Sequence, residues 1–341
     1  MARIIPKKPI SVEHNWQKEL AKSITDPAAL LSFMELPLEK YAQHSKARRL
    51  FPMRVPRHFV ELMEKGNPND PLFMQVMPLS DEFVTSPQYS EDPLDEHDTA
   101  TRGVLHKYQS RVLLMVRTGC AVNCRYCFRR HFPYADNAVN KQQWQEAITY
   151  IENNSDINEV IFSGGDPLMA KDDHLAWLAN ALADIPHIKR LRIHTRLPVV
   201  LPQRIDNAFV SWFSALPLQK VLVLHANHAN EIAEPLKQKL HALKQANVTL
   251  LNQSVLLKGV NDSADAICDL SDALMDAGVL PYYLHVLDKV QGAAHFYVSD
   301  EDGRRIIAEA IKRLPGFLVP KLVREIGGQP GKTPIDLQLH P

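Results

Sequence analysis

The 341-residue sequence has no excess of charge of either sign, because 39 Lys and Arg residues balance 39 Asp and Glu residues. This balance gives no general attraction to nucleic acid or to an anionic membrane. No apolar run approaches the roughly 18–20 residues that span a bilayer, and the basic N-terminus lacks the apolar segment of a secretory signal. We therefore expect a cytoplasmic protein that binds neither nucleic acid nor membrane.

Cysteine is also scarce. Of the four cysteines, Cys120, Cys124 and Cys127 fall close together and Cys268 stands far away. A disulfide framework would spread paired cysteines through a small secreted domain. The pattern favours a metal-binding cluster in a reducing compartment, and Cys268 is predicted to be a buried apolar residue on a helix at residues 264–278.

The spacing of apolar residues changes near residue 100. The first hundred residues are predicted to be mainly helical, with helical spacing of apolar residues at 12–24 and 30–42. Beyond them, short apolar runs alternate with amphipathic stretches, which predicts a parallel sheet with helical crossovers and chemistry at the carboxyl ends of the strands. An open doubly wound sheet and a barrel, full or partial, both fit. The six predicted strands are residues 111–117, 159–164, 191–195, 220–226, 248–255 and 282–288.

The three clustered cysteines follow the first of these strands with the spacing C-x3-C-x2-C. Thiolates are soft ligands that suit iron–sulfur clusters or zinc. Three thiolates can hold three irons of a cubane and leave the fourth iron open to a further ligand. The alternative is a Cys3His zinc site completed by His131, although structural zinc sites normally join ligands from two separated pairs.

Near the C-terminus, Lys332 lies in the glycine-rich segment GGQPGKTP. It is not a phosphate-binding Walker motif, because Ile326 stands where that motif needs glycine and Pro334 blocks the following helix. A lysine on a flexible loop can instead condense with the aldehyde of pyridoxal phosphate (PLP). The ordinary alternative is an exposed loop lysine.

These motifs together resemble a known family. The cysteine spacing and SGGDPL at 163–168 are similar to the radical S-adenosylmethionine (SAM) superfamily. The segments DPLDE, CRYCFRR, HANHANEI, PYYLHVLD and GGQPGKTP resemble the lysine 2,3-aminomutase family, and the likeness extends over residues 90–336. The resemblance implies an α/β fold with a partial (β/α)6 TIM-like barrel at 101–315. A mainly helical region at 1–100 would precede it, and a segment at 316–341 would carry the PLP lysine.

The resemblance also implies an activity, cofactors and partners. The activity is the isomerisation of L-lysine to β-lysine with a [4Fe–4S] cluster, SAM and PLP, supplied with electrons by a donor such as flavodoxin or ferredoxin. The short chain resembles the subgroup that provides β-lysine for modification of elongation factor P. Because Ser263 replaces a cysteine of longer members, we expect no structural zinc and do not assume the family's usual assembly.

Residue roles follow from the matched motifs. The cluster ligands would be Cys120, Cys124 and Cys127, and the SAM site would include Ser163, Gly164, Gly165, Asp166, His225 and Gln253. PLP would be held by Lys332, with Tyr108 and Arg111 near it. Arg129 would pair with the substrate carboxylate, and Asp288 and Glu325 with its distal ammonium. Glu325 replaces the Asp that is usual in lysine aminomutases, so its reach is one methylene longer.

Three alternatives remain open at the level of sequence. One keeps the chemistry but changes the substrate to another amino acid, such as arginine or glutamate; the two acids predicted near the distal group argue against glutamate. The second is a zinc-stabilised Cys3His module that binds RNA or a translation factor through the basic N-terminus. The third is a PLP enzyme with a vestigial cluster.

Overall fold

The structure is a computed structural model that describes residues 15–44, 52–84, 86–96, 100–133 and 140–339. Much of the basic N-terminal stretch, residues 1–14, therefore lies outside the described residues. Within them, no helix is both long and apolar enough to cross a membrane.

The N-terminal region is helical, as predicted. Asn15, Asp26 and Asp70 each precede a helix and accept backbone N–H groups of its first turn, which stabilises a helix start. The stretch predicted at 30–42 is interrupted, because Glu35 has a positive φ of 58° and the chain turns there before continuing as a 3-10 helix. The helices are α1 (Trp16–Ala21), α2 (Pro27–Phe33), α3 (Arg57–Glu61) and α4 (Pro71–Met74), with 3-10 helices at Leu38–His44 and Ser80–Phe83.

A nine-stranded sheet follows, with strands ordered as in the sequence. The pairs from β2 to β8 are parallel, whereas β1 pairs with β2 and β9 pairs with β8 in antiparallel fashion. The strands are β1 (Val104–Tyr108), β2 (Arg111–Arg117), β3 (Glu159–Gly164), β4 (Arg190–Thr195), β5 (Gln219–Leu224), β6 (Thr249–Val255), β7 (Leu280–His285), β8 (Lys321–Arg324) and β9 (Thr333–Pro334).

All six predicted strands are confirmed as β2 to β7. The strand order decides between the two architectures that the sequence left open, because a doubly wound sheet reverses its order and this sheet does not. One cavity is lined by side chains from strands as far apart as β2 and β7, so the sheet curves around it. The fold is therefore a partial barrel. Strands β1, β8 and β9 were not predicted.

Helices cover the outside of the barrel. The four amphipathic helices predicted between the strands are confirmed, and three further helices were not predicted: Leu197–Val200, Asn207–Ala215 and Asp300–Arg313. The helices are α5 (Lys141–Glu152), α6 (Asp172–Ala183), α7 (Leu197–Val200), α8 (Asn207–Ala215), α9 (Glu234–Gln245), α10 (Ala264–Asp276) and α11 (Asp300–Arg313). Short 3-10 helices lie at Pro167–Met169, Pro202–Arg204, Ala229–Glu231, Ala294–Phe296 and Gly316–Leu318.

The apolar core joins the N-terminal helices to the barrel. One contiguous cluster contains Trp16 and Phe59 from the N-terminal region together with Val112 and Phe162 from the strands. A second cluster packs α10 and α11 against β8 and includes Cys268, which is 4% exposed. The prediction that Cys268 is a buried apolar residue is confirmed.

Candidate active site

A cavity of about 410 Å³ lies inside the curved sheet. Its walls come from strands β1 to β4, β6 and β7, from loops at the carboxyl ends of the strands and from the β8–β9 hairpin. Every residue that the family resemblance assigns to a site lines it. These are Cys120, Cys124, Cys127, Tyr108, Arg111, Arg129, Ser163, Gly164, Gly165, Asp166, His225, Gln253, Asp288, Glu325 and Lys332. The structure thus brings the residues together, while the ligand that each one binds stays a prediction.

The loop that carries Cys120, Cys124 and Cys127, here called the cysteine loop, follows β2. It is anchored by Arg125, which directly follows Cys124 in the sequence. This side chain is fully buried and forms an ion pair with buried Glu82. It also donates to the Met74 carbonyl oxygen at 2.8 Å and lies 3.0 Å from His295 Nε2. The N-terminal helices therefore hold the loop between Cys124 and Cys127 in place. Sequence reasoning missed Arg125, because its partners are distant in the chain.

The three thiols lie in a confined, weakly solvated environment. Burial raises the pKa of Cys127 to about 11 and the pKa of Cys120 well above its usual range, and the neighbouring thiols add to both shifts. Such thiols ionise readily only when a cation neutralises them, as the irons of a cluster do. The donor set and its position on the cavity wall therefore fit a [4Fe–4S] cluster.

The zinc alternative finds less support. His131 lies outside the cavity lining, and its Nε2 is 3.3 Å from the Gln291 carbonyl oxygen. Across the described ranges, no three His, Cys, Asp or Glu side chains are close enough to share one metal ion. A cubane cluster does not need its thiolates to meet at one ion, because each binds a separate iron.

The loop after β3 approaches the cysteine loop closely, and glycine makes this approach feasible. The Gly165 N–H donates to the Arg117 carbonyl oxygen at 2.7 Å, and the Asp166 N–H donates to the Gly119 carbonyl oxygen at 3.0 Å. A Cβ on Gly165 would lie 2.7 Å from the Gly119 oxygen, and Gly164 has a φ of 124° that few other residues adopt. The two loops therefore form one continuous wall of the cavity.

Asp166 lines the cavity, but both of its carboxylate oxygens bind protein groups. They accept the Thr195 hydroxyl at 2.8 and 3.0 Å and the backbone N–H groups of Leu168, Arg196 and Leu197 at 2.8 to 3.0 Å. Asp166 therefore fixes the carboxyl end of β4. The place in the SAM site that the motif resemblance implies for Asp166 stays a prediction.

The histidines of the cavity are neutral. Burial lowers the pKa of His225 to about 3, and it holds the pKa values of His194 and His285 well below their usual range. His225 Nε2 lies 3.0 Å from Gln253 Nε2. His194 Nε2, His285 Nε2 and Gln253 Oε1 are buried without a hydrogen-bond partner in the described structure. These polar atoms line the cavity and suit an uncharged polar ligand. His194 and His285 were not predicted, although both lie near the carboxyl ends of predicted strands.

Lys332 reaches the cavity because of the terminal hairpin. Arg324 of β8 pairs with Thr333 of β9, so the next residues, Glu325 and Lys332, face each other across the hairpin. Their side chains form an ion pair, and the Tyr108 hydroxyl donates to Glu325 at 2.9 Å. Burial opposes ionisation of Glu325, but the positive charges of Lys332 and Lys107 hold its pKa well below its usual range.

Lys107 and Glu96 extend this pair into a chain of alternating charges. Lys107 Nζ lies 3.4 Å from Glu325 and 2.8 Å from Glu96. Glu96 in turn accepts hydrogen bonds from Nε of Arg129 at 2.6 Å and from Nη2 of Arg129 at 3.1 Å. The chain thus links the predicted carboxylate-binding arginine to the predicted PLP lysine. Sequence reasoning missed Glu96 and Lys107.

The contacts of Arg129 restrict how it can bind a substrate. Besides Glu96, its guanidinium donates to the Ser163 hydroxyl at 2.9 Å and to the Gly164 carbonyl oxygen at 3.3 Å. A planar guanidinium binds a carboxylate best through two parallel N–H groups, and Glu96 already takes one such edge. A substrate carboxylate therefore has to displace Glu96 or share Arg129 with it.

Arg111 lies on the opposite side of the cavity from the thiols along β2. Its guanidinium is 4.1 Å from the centre of the Tyr108 ring. Within the part of the chain that the structure describes, it forms no ion pair with a carboxylate. Its charge is thus available to an anionic group, such as the phosphate of PLP.

Comparisons with known proteins agree with this chemistry. A family model described as the Radical SAM superfamily matches residues 115–270. The chain is 56% identical to the L-lysine 2,3-aminomutase of Escherichia coli (strain K12), with 100% of this chain and 99% of that protein covered. It is 54% identical to the L-lysine 2,3-aminomutase of Haemophilus influenzae, covering 97% and 98%. It is 34% identical to that of Clostridium subterminale, covering 94% and 78%.

Proposed function

This chain belongs to the L-lysine 2,3-aminomutase family of radical SAM enzymes, and from this premise we propose how its own residues convert L-lysine to β-lysine. The observation that carries the proposal is the meeting of two distant motifs. Cys120, Cys124 and Cys127 line the same cavity as Lys332, although about two hundred residues separate them in the chain. The thiols and the amine can therefore act on one substrate.

The radical end of the cavity would be formed by the three cysteines and the loop after β3. The [4Fe–4S] cluster, SAM and PLP, when bound, supply the radical and the amine transfer. We propose that Cys120, Cys124 and Cys127 hold the cluster. The loop Ser163–Asp166 would line the SAM site, with the neutral pair His225 and Gln253 near its nucleoside.

The opposite end would hold PLP and the substrate amine. We propose that Lys332 Nζ binds the PLP aldehyde and that Arg111 binds the phosphate, since its guanidinium suits two phosphate oxygens. Tyr108 would orient this end, because its ring contacts Arg111 and its hydroxyl binds Glu325. Glu325 holds the Lys332 ammonium on the cavity wall until the cofactor arrives.

Substrate selection would depend on charge. L-lysine carries a carboxylate and a distal ammonium, and the cavity offers Arg129 for the first and Asp288 and Glu325 for the second. Two acids near one end disfavour a substrate with an acidic side chain. The Glu325 carboxylate also contacts Lys332 directly.

We also propose a cellular setting on the strength of the resemblance. The enzyme would work in the cytoplasm, where free thiols persist, and would receive electrons from a donor such as flavodoxin or ferredoxin. Its product would supply modification of elongation factor P. The chain would be organised as a helical region at 1–100, a barrel at 101–315 and a segment at 316–341 that carries the PLP lysine.

An anaerobic assay tests the proposed reaction. The purified chain would be reconstituted with iron and sulfide and given PLP, SAM, dithionite and L-lysine, and chiral mass spectrometry would detect β-lysine. We expect product that disappears when SAM is omitted. L-arginine and L-glutamate, assayed in parallel, should give little or none.

Other outcomes separate the alternatives. SAM cleavage without β-lysine would retain the radical chemistry but refute L-lysine as the substrate. Aerobic turnover without SAM would indicate a PLP enzyme that does not use its cluster. A colourless protein that retains zinc and resists iron loading would refute the enzyme proposal in favour of the binding module.

The pH dependence of substrate binding tests the proposed role of Asp288. Burial and the negative charge of Glu325 together raise the pKa of Asp288 to about 7, against the opposing charge of Lys332. Below that pH the carboxyl is neutral and cannot pair with the distal ammonium. We therefore expect the KM for L-lysine to rise as pH falls below 7, by about tenfold per unit at the limit. Steady-state kinetics between pH 5.5 and 8 would measure it.

Two variants control this experiment. Asp288→Asn should have a raised KM that varies little with pH, whereas Asp276→Asn, on the exposed face of α10, should behave as the wild type. Glu325 stays ionised across this range, because its pKa is held well below its usual value. A KM profile that is unchanged by Asp288→Asn would assign the titration to another group.

A further inference from the structure

We propose that Arg196 is a positioning residue of the cluster, which donates a hydrogen bond to the sulfur of Cys124 and raises the reduction potential of the [4Fe–4S] centre. The inference rests on the proposed placement of the cluster on the three cysteines. It adds a residue that neither the cysteine motif nor the loop after β3 contains. Arg196 directly follows β4 and is 5% exposed.

The contact with sulfur is direct. Nη1 of Arg196 lies 3.2 Å from Cys124 Sγ, within hydrogen-bond distance for a sulfur acceptor. The Arg196 backbone N–H donates to Asp166 Oδ2 at 2.8 Å, so the main chain is fixed by the same carboxylate that orders the end of β4. Nε of Arg196 is buried without a hydrogen-bond partner in the described structure, and the side chain lines the cavity. A further N–H donor is therefore available beside the cluster site.

A buried hydrogen-bond network also holds the Arg196 guanidinium in place. Nη2 of Arg196 donates to Gln75 Oε1 at 2.8 Å and to Glu231 Oε2 at 3.1 Å. The second oxygen of Glu231 accepts the backbone N–H groups of Asn227 and His228 at 2.9 and 3.0 Å. Glu231 is thus fully engaged and has little freedom to move. The network prevents Arg196 from turning away from Cys124.

Two aromatic rings lie close to the Arg196 guanidinium. The guanidinium lies 5.5 Å from the ring centres of Phe59 and Tyr126. Together with Gln75 from the N-terminal region, they keep water away from the charge. A positive charge acts more strongly on its neighbours when water does not screen it. The fold thus keeps a cation next to one cluster ligand and nearly removed from solvent.

The effect on the cluster follows from its change of charge. One-electron reduction adds a negative charge that spreads onto the ligand sulfurs. Hydrogen bonds to those sulfurs and nearby positive charge stabilise the reduced form, and both are known determinants of iron–sulfur potentials. Arg196 supplies both at Cys124. We therefore expect the cluster to accept an electron more readily with Arg196 than without it.

Arg204 provides a matched control for burial alone. It is also fully buried, and it donates to the carbonyl oxygen of Leu168 at 2.7 Å and to Asp172 at 2.9 Å. Unlike Arg196, it does not line the cavity. If buried arginines here act only by stabilising loops, variants of the two residues should change the protein in the same way.

The test is a redox titration monitored by electron paramagnetic resonance on the reconstituted full-length chain. We expect Arg196→Gln to lower the equilibrium constant for one-electron reduction about tenfold, which corresponds to a potential lower by about 59 mV. Arg196→Lys retains the charge but loses the planar fork, so its potential should lie between those of Arg196→Gln and the wild type. Arg204→Gln should have the wild-type potential.

The possible results distinguish failure of the Arg196 inference from failure of the cluster placement on which it rests. Full iron content with an unchanged potential in both Arg196 variants would overturn the inference and leave the cluster placement intact. Loss of the cluster in both Arg196 variants, with retention in Arg204→Gln, would show that Arg196 is required for assembly and overturn the proposed tuning. A wild-type chain that binds no iron would instead refute the placement on which the inference rests.

Discussion

Replacing Lys332 by alanine is expected to reduce β-lysine formation by at least about 10³-fold, because enzymes commonly accelerate reactions by 10⁶-fold or more and this variant loses the amine that binds PLP. Lys332 is the lysine of the terminal hairpin, held on the cavity wall by Glu325. Removing it leaves no covalent attachment for the cofactor. The measurements are the chiral product assay and the PLP content of the protein after desalting.

The thiol end of the cavity should survive this change. The iron content and the ability to cleave SAM should remain near wild type in Lys332→Ala, since the three thiols lie in the loop after β2 and Lys332 lies in the separate β8–β9 hairpin. Lys321→Ala, an exposed lysine of β8, is the matched control and should retain both PLP and activity. Full β-lysine formation by Lys332→Ala would show that PLP binds elsewhere.

Replacing Cys124 by alanine is expected to produce the complementary loss. Two thiolates should not retain a cluster that needs three, so the brown colour, the bound iron and SAM cleavage should disappear together. The rate of β-lysine formation should fall by at least about 10³-fold, as expected when the radical source of an enzyme is removed. PLP should still bind through Lys332. Iron and sulfide analysis, SAM cleavage and PLP content would be measured on one preparation.

Cys268→Ala is the control for loss of a thiol. Cys268 is buried in the apolar cluster around α10 and α11 and does not line the cavity. Its removal should leave iron content and activity unchanged and cost only a small amount of stability from the cavity it creates. If Cys124→Ala retained a full cluster, the ligand set would have to include another residue.

The strands and crossover helices were predictable because their apolar residues repeat with the period of the element that buries them. Strands β8 and β9 gave no such signal. They are short, and β9 forms only because Thr333 pairs with Arg324 across the hairpin. Whether a short polar segment becomes a strand depends on its neighbours in space, which the sequence does not show.

The residues of the site also divide into those with a local sequence signal and those defined by neighbours in space. The cysteines and Lys332 could be identified because a recognisable spacing surrounds them. Glu96 and Arg196 could not, because a buried charge is defined by partners far away in the chain: Glu96 binds Arg129, and Arg196 binds Gln75 and Glu231. Asp166 is the reverse case, because the sequence identified the residue but not its role. Its motif was recognised, but only its five hydrogen-bond contacts reveal that it orders the end of β4.

The place of Lys332 in the last hairpin determines when the site is completed during translation. The three thiols and the strands that surround the cavity leave the ribosome before β8 and β9, and domains begin to fold from their N-terminal parts during synthesis. A nascent chain that has not reached residue 321 contains every thiol but lacks both Glu325 and Lys332. The barrel can therefore form around the thiols before the amine arrives, and the β8–β9 pairing is the step that joins the two chemistries.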